Sequence, residues 1–121
     1  MNLKTNNDNI KEEISKIKQN NYLVIVEGKK DKKALNELGI TNVIFLKNKP
    51  IFEIIESING KDIVILTDLD SEGKKLFNKL RHQLQRRGVK LHNKLRNLLF
   101  KTKLRHIEGL INYLKINSFL V

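Results

Sequence analysis

Residues 62–80 read DIVILTDLDSEGKKLFNKL, and this stretch decides the fold. Ile63 to Leu66 form an unbroken apolar run, the mark of a strand buried on both faces. Ser71 is placed to cap a long helix, in which Leu76, Leu80 and Leu84 recur every four residues until Arg87-Gly88. Between the two, a strand end delivers Asp68 and Asp70 to a helix start.

Working outward, YLVIVE (22–27) is a second run of the same kind. Gly28 follows it, then a helix predicted from Asp31 to Leu38 with Gly39 as its stop. NVIFL (42–46) is another buried strand. Pro50 suits the first position of the next helix, with Ile51, Ile54, Ile55 and Ile58 toward the core and Gly60 at its end. Upstream, DNIKEEISKIKQN (8–20) spaces Ile10, Ile14 and Ile17 helically behind an Asp/Asn cap. After Gly88 the pattern is less regular. VKLHNKLRNLLFK (89–101) begins as a short fourth strand or reads as a helix through Leu91, Leu95, Leu98 and Leu99, the helix being favoured. HIEGLINYLK (106–115) reads as a short helix or turn-helix.

Strands alternating with helices over short connections predict an α/β fold. Its centre is a mainly parallel sheet of three to four strands, flanked by helices in three layers. The expected organisation is a single domain: an N-terminal helix over 1–20, a core over 21–88, and a basic helical extension over 89–121 packed on it. In such sheets ligands sit beyond the carboxyl ends of the strands. Glu27 lies at that edge after one strand, Asp68 and Asp70 after another.

The chain has 121 residues and a net charge of +11. Residues 1–70 carry 11 basic and 11 acidic side chains, whereas residues 71–121 carry 13 basic and 2 acidic ones, so all of the excess lies in the second part. Residues 74–105 contain no acid at all, where a salt-bridged helix face would interleave them. Such a segment suits a polyanion, the plain alternative being a solvated basic surface. With no cysteine, disulfides, thiolate metal sites and thiol nucleophiles are excluded. No apolar run reaches the ~18–20 residues that span a bilayer. The Asn/Lys-rich N-terminus lacks a secretory core, so the expectation is a cytoplasmic protein without membrane association.

Strand-end carboxylates on neighbouring parallel strands, about 4.8 Å apart, can converge on one cation. Packed together they repel, and a hard divalent ion resolves the conflict. Mg²⁺ suits such a site, with Mn²⁺ as the alternative. The simpler reading makes Asp68 and Asp70 helix caps and Glu27 a solvated strand end.

VEGKKD (26–31), followed about forty residues later by TDLDSEG (67–73), resembles the two signature motifs of the Toprim domain. That domain is shared by type IA and II topoisomerases, bacterial-type primases, OLD-family nucleases, RecR proteins and ribonuclease M5. The resemblance covers roughly residues 20–88 and is strongest to small stand-alone Toprim proteins of archaea and bacteria, related to the Toprim part of ribonuclease M5. It implies a Rossmann-like Toprim fold. It implies Glu27 as catalytic acid/base and metal neighbour, and Asp68 and Asp70 as catalytic Mg²⁺ ligands. Glu72 fits a longer Asp-x-Asp-x-Glu form, or is simply a first-turn helix acid. Asp31 matches an acidic position of the ribonuclease M5-like form, or is an ordinary N-terminal helix residue. HIEGL (106–110) is similar to a downstream Val/Ile-Glu segment of those proteins. Leu69 and Ser71 depart from the Pro and Phe frequent there. The only tyrosines, Tyr22 and Tyr113, make strand passage implausible.

Nucleic-acid contacts are expected from Lys29, Lys74, Lys75, Arg81, Arg86, Arg87, Arg96 and Arg105. Phe77, Phe100 and Tyr113 look like core, so recognition of backbone and shape is expected rather than base stacking. His82, His92 and His106 are too scattered for a metal set and read as surface or phosphate-contacting residues. The leading expectation is a Mg²⁺-dependent protein that cleaves or processes RNA or DNA, in a larger nucleoprotein or processing complex. The alternative is a non-catalytic nucleic-acid-binding or adaptor module that keeps the metal site. A nucleotide phosphotransfer domain is disfavoured, because there is no GxxxxGK[ST] loop.

Overall fold

The computed structural model describes residues 4–118. Its elements are α1 (Asn6–Asn20), β1 (Leu23–Val26), α2 (Lys29–Glu37), β2 (Val43–Phe45), α3 (Ile51–Glu56), β3 (Asp62–Ile65), α4 (Ser71–Gln85), β4 (Lys90–Leu91), α5 (Lys94–Leu99), a short 3₁₀ helix (Ile107–Gly109) and α6 (Leu110–Ser118). The four strands lie in the order β2-β1-β3-β4, all parallel. This is the expected three-layer α/β arrangement, with the fourth strand present.

Strand alternation sorts the apolar residues into two layers. On one face Val24, Val26, Val64 and Leu66 pack with Ile10, Ile14 and Ile17 of α1, Leu35 of α2, Leu95, Leu98 and Leu99 of α5, and Leu110 and Leu114 of α6. On the other, Ile25, Ile63 and Ile65 pack with Ile55 of α3, Ile58, and Leu80 and Leu84 of α4. The segment after Gly88 therefore completes one of the two helical layers.

Three local expectations change. Thr5, not Asp8, caps α1: its side chain accepts the Asp8 amide at 3.1 Å while Asp8 accepts the Thr5 amide at 3.1 Å. Asp70, not Ser71, caps α4, because its carboxylate reaches the Gly73 amide at 2.8 Å. Residues 89–101 hold both a two-residue strand and a helix. Among the described residues, no helix is long and apolar enough to cross a membrane.

The chain runs from β1 outward to β2 on one side, then returns to β3 on the other. The carboxyl ends of β1 and β3 thus flank the switch point where open α/β sheets bind ligands. Ile25 is paired with Ile65, and the Leu66 amide donates to the Ile25 carbonyl at 2.8 Å. This register brings Glu27 alongside the Thr67–Asp68 segment.

Candidate metal centre

The loop after β3 is fixed from every side. The Thr67 hydroxyl donates to the Gly73 carbonyl at 2.7 Å. The Leu69 amide donates to the Arg105 carbonyl at 2.8 Å, and the Leu69 side chain is buried, which suits leucine at that position. The Arg96 guanidinium donates from Nη1 to the Thr67 carbonyl at 2.6 Å and from Nη2 to the Asp68 carbonyl at 3.1 Å. At Gly73 a Cβ would stand 1.9 Å from the Asp68 carbonyl oxygen, so this turn of α4 approaches the loop too closely for any side chain. That close approach is the physical reason for glycine at the end of Asp-x-Asp-x-x-Gly.

Each of the three expected acids spends one oxygen on a backbone amide. Glu27 Oε2 accepts from Asp68 N at 2.6 Å, Asp68 Oδ1 from Ile107 N at 2.9 Å, and Asp70 Oδ1 from Gly73 N at 2.8 Å. The second oxygens of the aspartates face one imidazole: His106 Nδ1 lies 3.4 Å from Asp68 Oδ2 and 3.9 Å from Asp70 Oδ2. Ligand atoms of Asp68, Asp70 and His106 all lie within 4.8 Å of one another. The trio that converges is therefore not Glu27, Asp68 and Asp70. Glu27 stands beside it, bound to the backbone of Asp68, and His106 takes the third place.

Charge interactions follow this geometry. The hydrogen bond and negative charge of Asp68 push the His106 pKa above its usual 6.5. Burial, followed by the nearby aspartates, raises Glu27 above the usual carboxylate range, against the Asp68 amide that lowers it. Two carboxylate oxygens and an imidazole nitrogen, open to solvent at His106, form a donor set that fits a hard divalent cation. The carboxylates suit Mg²⁺ or Mn²⁺, and the imidazole shifts the preference from Mg²⁺ toward Mn²⁺ and other transition ions.

The remaining expected residues are dispersed. Lys29 begins α2 and lines a cleft of about 760 Å³ with Glu27, Asp68, Phe45 and Glu108. Asp31 is buried, accepts the Gly28 amide at 3.0 Å, and interacts with the Glu108 backbone, so it clamps α2 to the segment after His106. Glu72 is exposed and pairs with Lys75 at 3.7 Å. Lys74 lies over the Phe100 ring at 5.3 Å. Arg81 sits midway along α4, half-buried. Arg86 and Arg87 lie at the far end of α4, roughly 20 Å from its start at ~1.5 Å per residue. There Arg86 contacts His82, and Arg87 donates to the carbonyls of Ile58 and Glu56 and to Asn59 Oδ1. Arg105 turns back on the carbonyls of Thr102 and Leu104.

Arg96 is a correction. The sequence places it among the nucleic-acid contacts, yet it is only 2% exposed, packed 4.5 Å from the Phe77 ring centre and 5.2 Å from that of Phe100. Burial lowers its pKa to about 10, with Glu27 and Asp68 opposing, so it stays charged at neutral pH. It is an internal brace of the loop.

The chain is similar in sequence to several archaeal proteins. A UPF0292 protein of Pyrococcus abyssi is 33% identical over 110 residues, covering 86% of this chain and 83% of its own. One of Methanocaldococcus jannaschii is 31% identical over 111 residues, covering 86% and 87%. A UPF0292 protein of Thermococcus sibiricus is 39% identical over 74 residues, a stretch that spans 60% of this chain but only 59% of that relative. The solved structure of a protein from Aquifex aeolicus superimposes with a TM-score of 0.76 at 34% identity, covering 84% of this chain and 97% of that one. The profile of the Toprim domain matches residues 21–93, from just before β1 to just past β4. With its parallel sheet, strand-end acids and Asp-x-Asp-x-x-Gly turn, the chain belongs to the Toprim family.

Proposed function

We propose that this protein is a divalent-metal-dependent enzyme acting on nucleic-acid phosphodiesters, with Asp68, Asp70 and His106 as the metal-holding group. The observation that carries this reading is the convergence of the free Asp68 and Asp70 oxygens on the His106 nitrogen at the β1/β3 switch point. A hard cation bound there supplies Lewis-acid polarisation of a phosphodiester. Asp68 and Asp70 hold their ligand oxygens in place through the Ile107 and Gly73 amides. Glu27, anchored by the Asp68 amide and with its pKa raised by burial, is suited to accept or return a proton at the reacting oxygen. Lys29 stands in the same cleft for a substrate phosphate.

Calorimetric titration with Mg²⁺ and Mn²⁺, run on wild type and Asp68→Asn, tests the site. Binding by wild type and loss in the variant are expected, and no binding by wild type overturns the assignment. Cleavage of structured RNA and DNA with Mg²⁺ tests the activity. Metal binding without turnover, or turnover unchanged in Asp68→Asn, overturns the enzymatic reading, the former in favour of the adaptor alternative.

A further inference from the structure

A second group of cations beside the cleft comes from the electrically neutral part of the sequence. Lys29 and Lys32 lie on adjacent turns of α2, and Lys49 lies just past β2. Their ammonium groups stand 6.0, 5.9 and 4.0 Å from the centre of the Phe45 ring. Among the described residues none of the three has a carboxylate within ion-pair distance. Their grouping is set by the backbone. The Lys49 amide donates to the Leu46 carbonyl at 3.0 Å, and Asn48 takes a left-handed φ of 65°, which folds Lys49 back over the ring. The Lys47 amide donates to the Glu27 carbonyl at 2.9 Å, tying this turn directly to the candidate centre. Phe45 and Lys29 line the cleft that holds Glu27 and Asp68.

Three unpaired ammonium groups around one half-buried ring repel one another in the free protein. Cation–π attraction offsets part of that cost, and an incoming anion removes the rest. We infer that Lys29, Lys32 and Lys49 around Phe45 form the seat for the sugar-phosphate backbone of the nucleic-acid strand, feeding it into the cleft from the β2 side rather than along α4. This rests on the reading of the protein as one that handles phosphodiesters. All three groups lie within 6.0 Å of one ring centre, close enough together to meet neighbouring phosphates of one strand. The chemistry read is that of the backbone, so RNA and DNA bind by the same contacts.

The test is fluorescence anisotropy with labelled single-stranded RNA and single-stranded DNA of one sequence, in chelator, over a salt series. Chelator separates this binding from the metal site, whose own test is calorimetric. Three double variants are compared with wild type: Lys32→Gln/Lys49→Gln, Lys75→Gln/Arg81→Gln on α4, and Lys61→Gln/Lys90→Gln at the opposite edge of the sheet. The expected result is about a tenfold loss for the first pair, with the slope of log affinity against log salt falling by about 1–2. The other two pairs are expected to lose no more than about twofold, and Lys32→Arg/Lys49→Arg to bind as wild type. Unchanged urea midpoints show that the variants fold. Equal losses in all three pairs, a loss confined to the α4 pair, or no binding by wild type to either strand each overturn the inference. Metal binding by calorimetry is untouched by any of these outcomes.

Discussion

Arg96→Met separates an internal brace from a surface phosphate contact. Arg96 gives two hydrogen bonds to the carbonyls of Thr67 and Asp68, and Thr67 is wholly buried. Methionine keeps much of the length and the contacts with Phe77 and Phe100, so the packing loss is small. The two carbonyls are left without donors, at roughly 1–3 kcal/mol each. Removing a buried charge returns part of that. A net loss of about 2–4 kcal/mol is expected. For m near ~1.5 kcal/mol/M in urea, the unfolding midpoint drops by about 1.5–2.5 M. Below that midpoint, Mn²⁺ titration is expected to show weakened binding, because the braced segment carries Asp68. A midpoint within about 0.3 M of wild type, together with weakened RNA or DNA binding, would refute the brace and restore Arg96 to the phosphate contacts.

Gly73→Ala is expected to cost more than about 4 kcal/mol, or to abolish folding by circular dichroism, since its Cβ would overlap the Asp68 carbonyl; a mild effect means that the turn yields easily. Thr5→Ala removes the α1 capping box and is expected to lower stability by about 1 kcal/mol in urea unfolding, with metal affinity unchanged. A proton on His106 competes with a metal at Nδ1, and the folded pKa lies above 6.5. Mn²⁺ affinity measured calorimetrically is therefore expected to climb as pH rises from about 6.5, and His106→Ala to flatten that climb; an equal climb in the variant refutes His106 as a ligand. Glu27 has a folded pKa above its usual 4.5, so without metal the native state holds its proton more tightly than the unfolded chain. Its contribution to stability is then lost as pH rises from 4.5 through the folded value. In chelator, Glu27→Gln is expected to stabilise the protein at neutral pH and not below pH 4.5; the same gain at both refutes the sign.

The strands were legible because Leu23–Val26 and Ile63–Leu66 are apolar on successive residues, rich in Val and Ile, and too short for a buried helix, as strands covered on both faces are. Asp68 and Asp70 were legible because their spacing ties a strand end to a helix cap. His106 was not. It reaches the site through the hydrogen bonds from Leu69 to Arg105 and from Ile107 to Asp68, a pairing between segments nearly forty residues apart that no local periodicity encodes. HIEGL was its one visible trace. Arg96 was misread because a lone cation between Leu95 and Asn97 looks like the others around it; its burial depends on two unpaired carbonyls elsewhere. Short β4 was obscured by α5, since two strand residues leave too little alternation to count against four helically spaced leucines.

The brevity of the two outer strands has a consequence for solubility. β2 has three residues and β4 two, while the longer, strongly apolar β1 and β3 are enclosed between them. A neighbouring molecule that tried to add a strand would find few free amides and carbonyls at either border. It would also meet Lys47 and Lys49 beyond one border and Lys90 on the other. Those charges act as gatekeepers against edge-to-edge association, so Lys49, one of the lysines that invite a polyanion, also discourages the protein from extending its sheet into an aggregate.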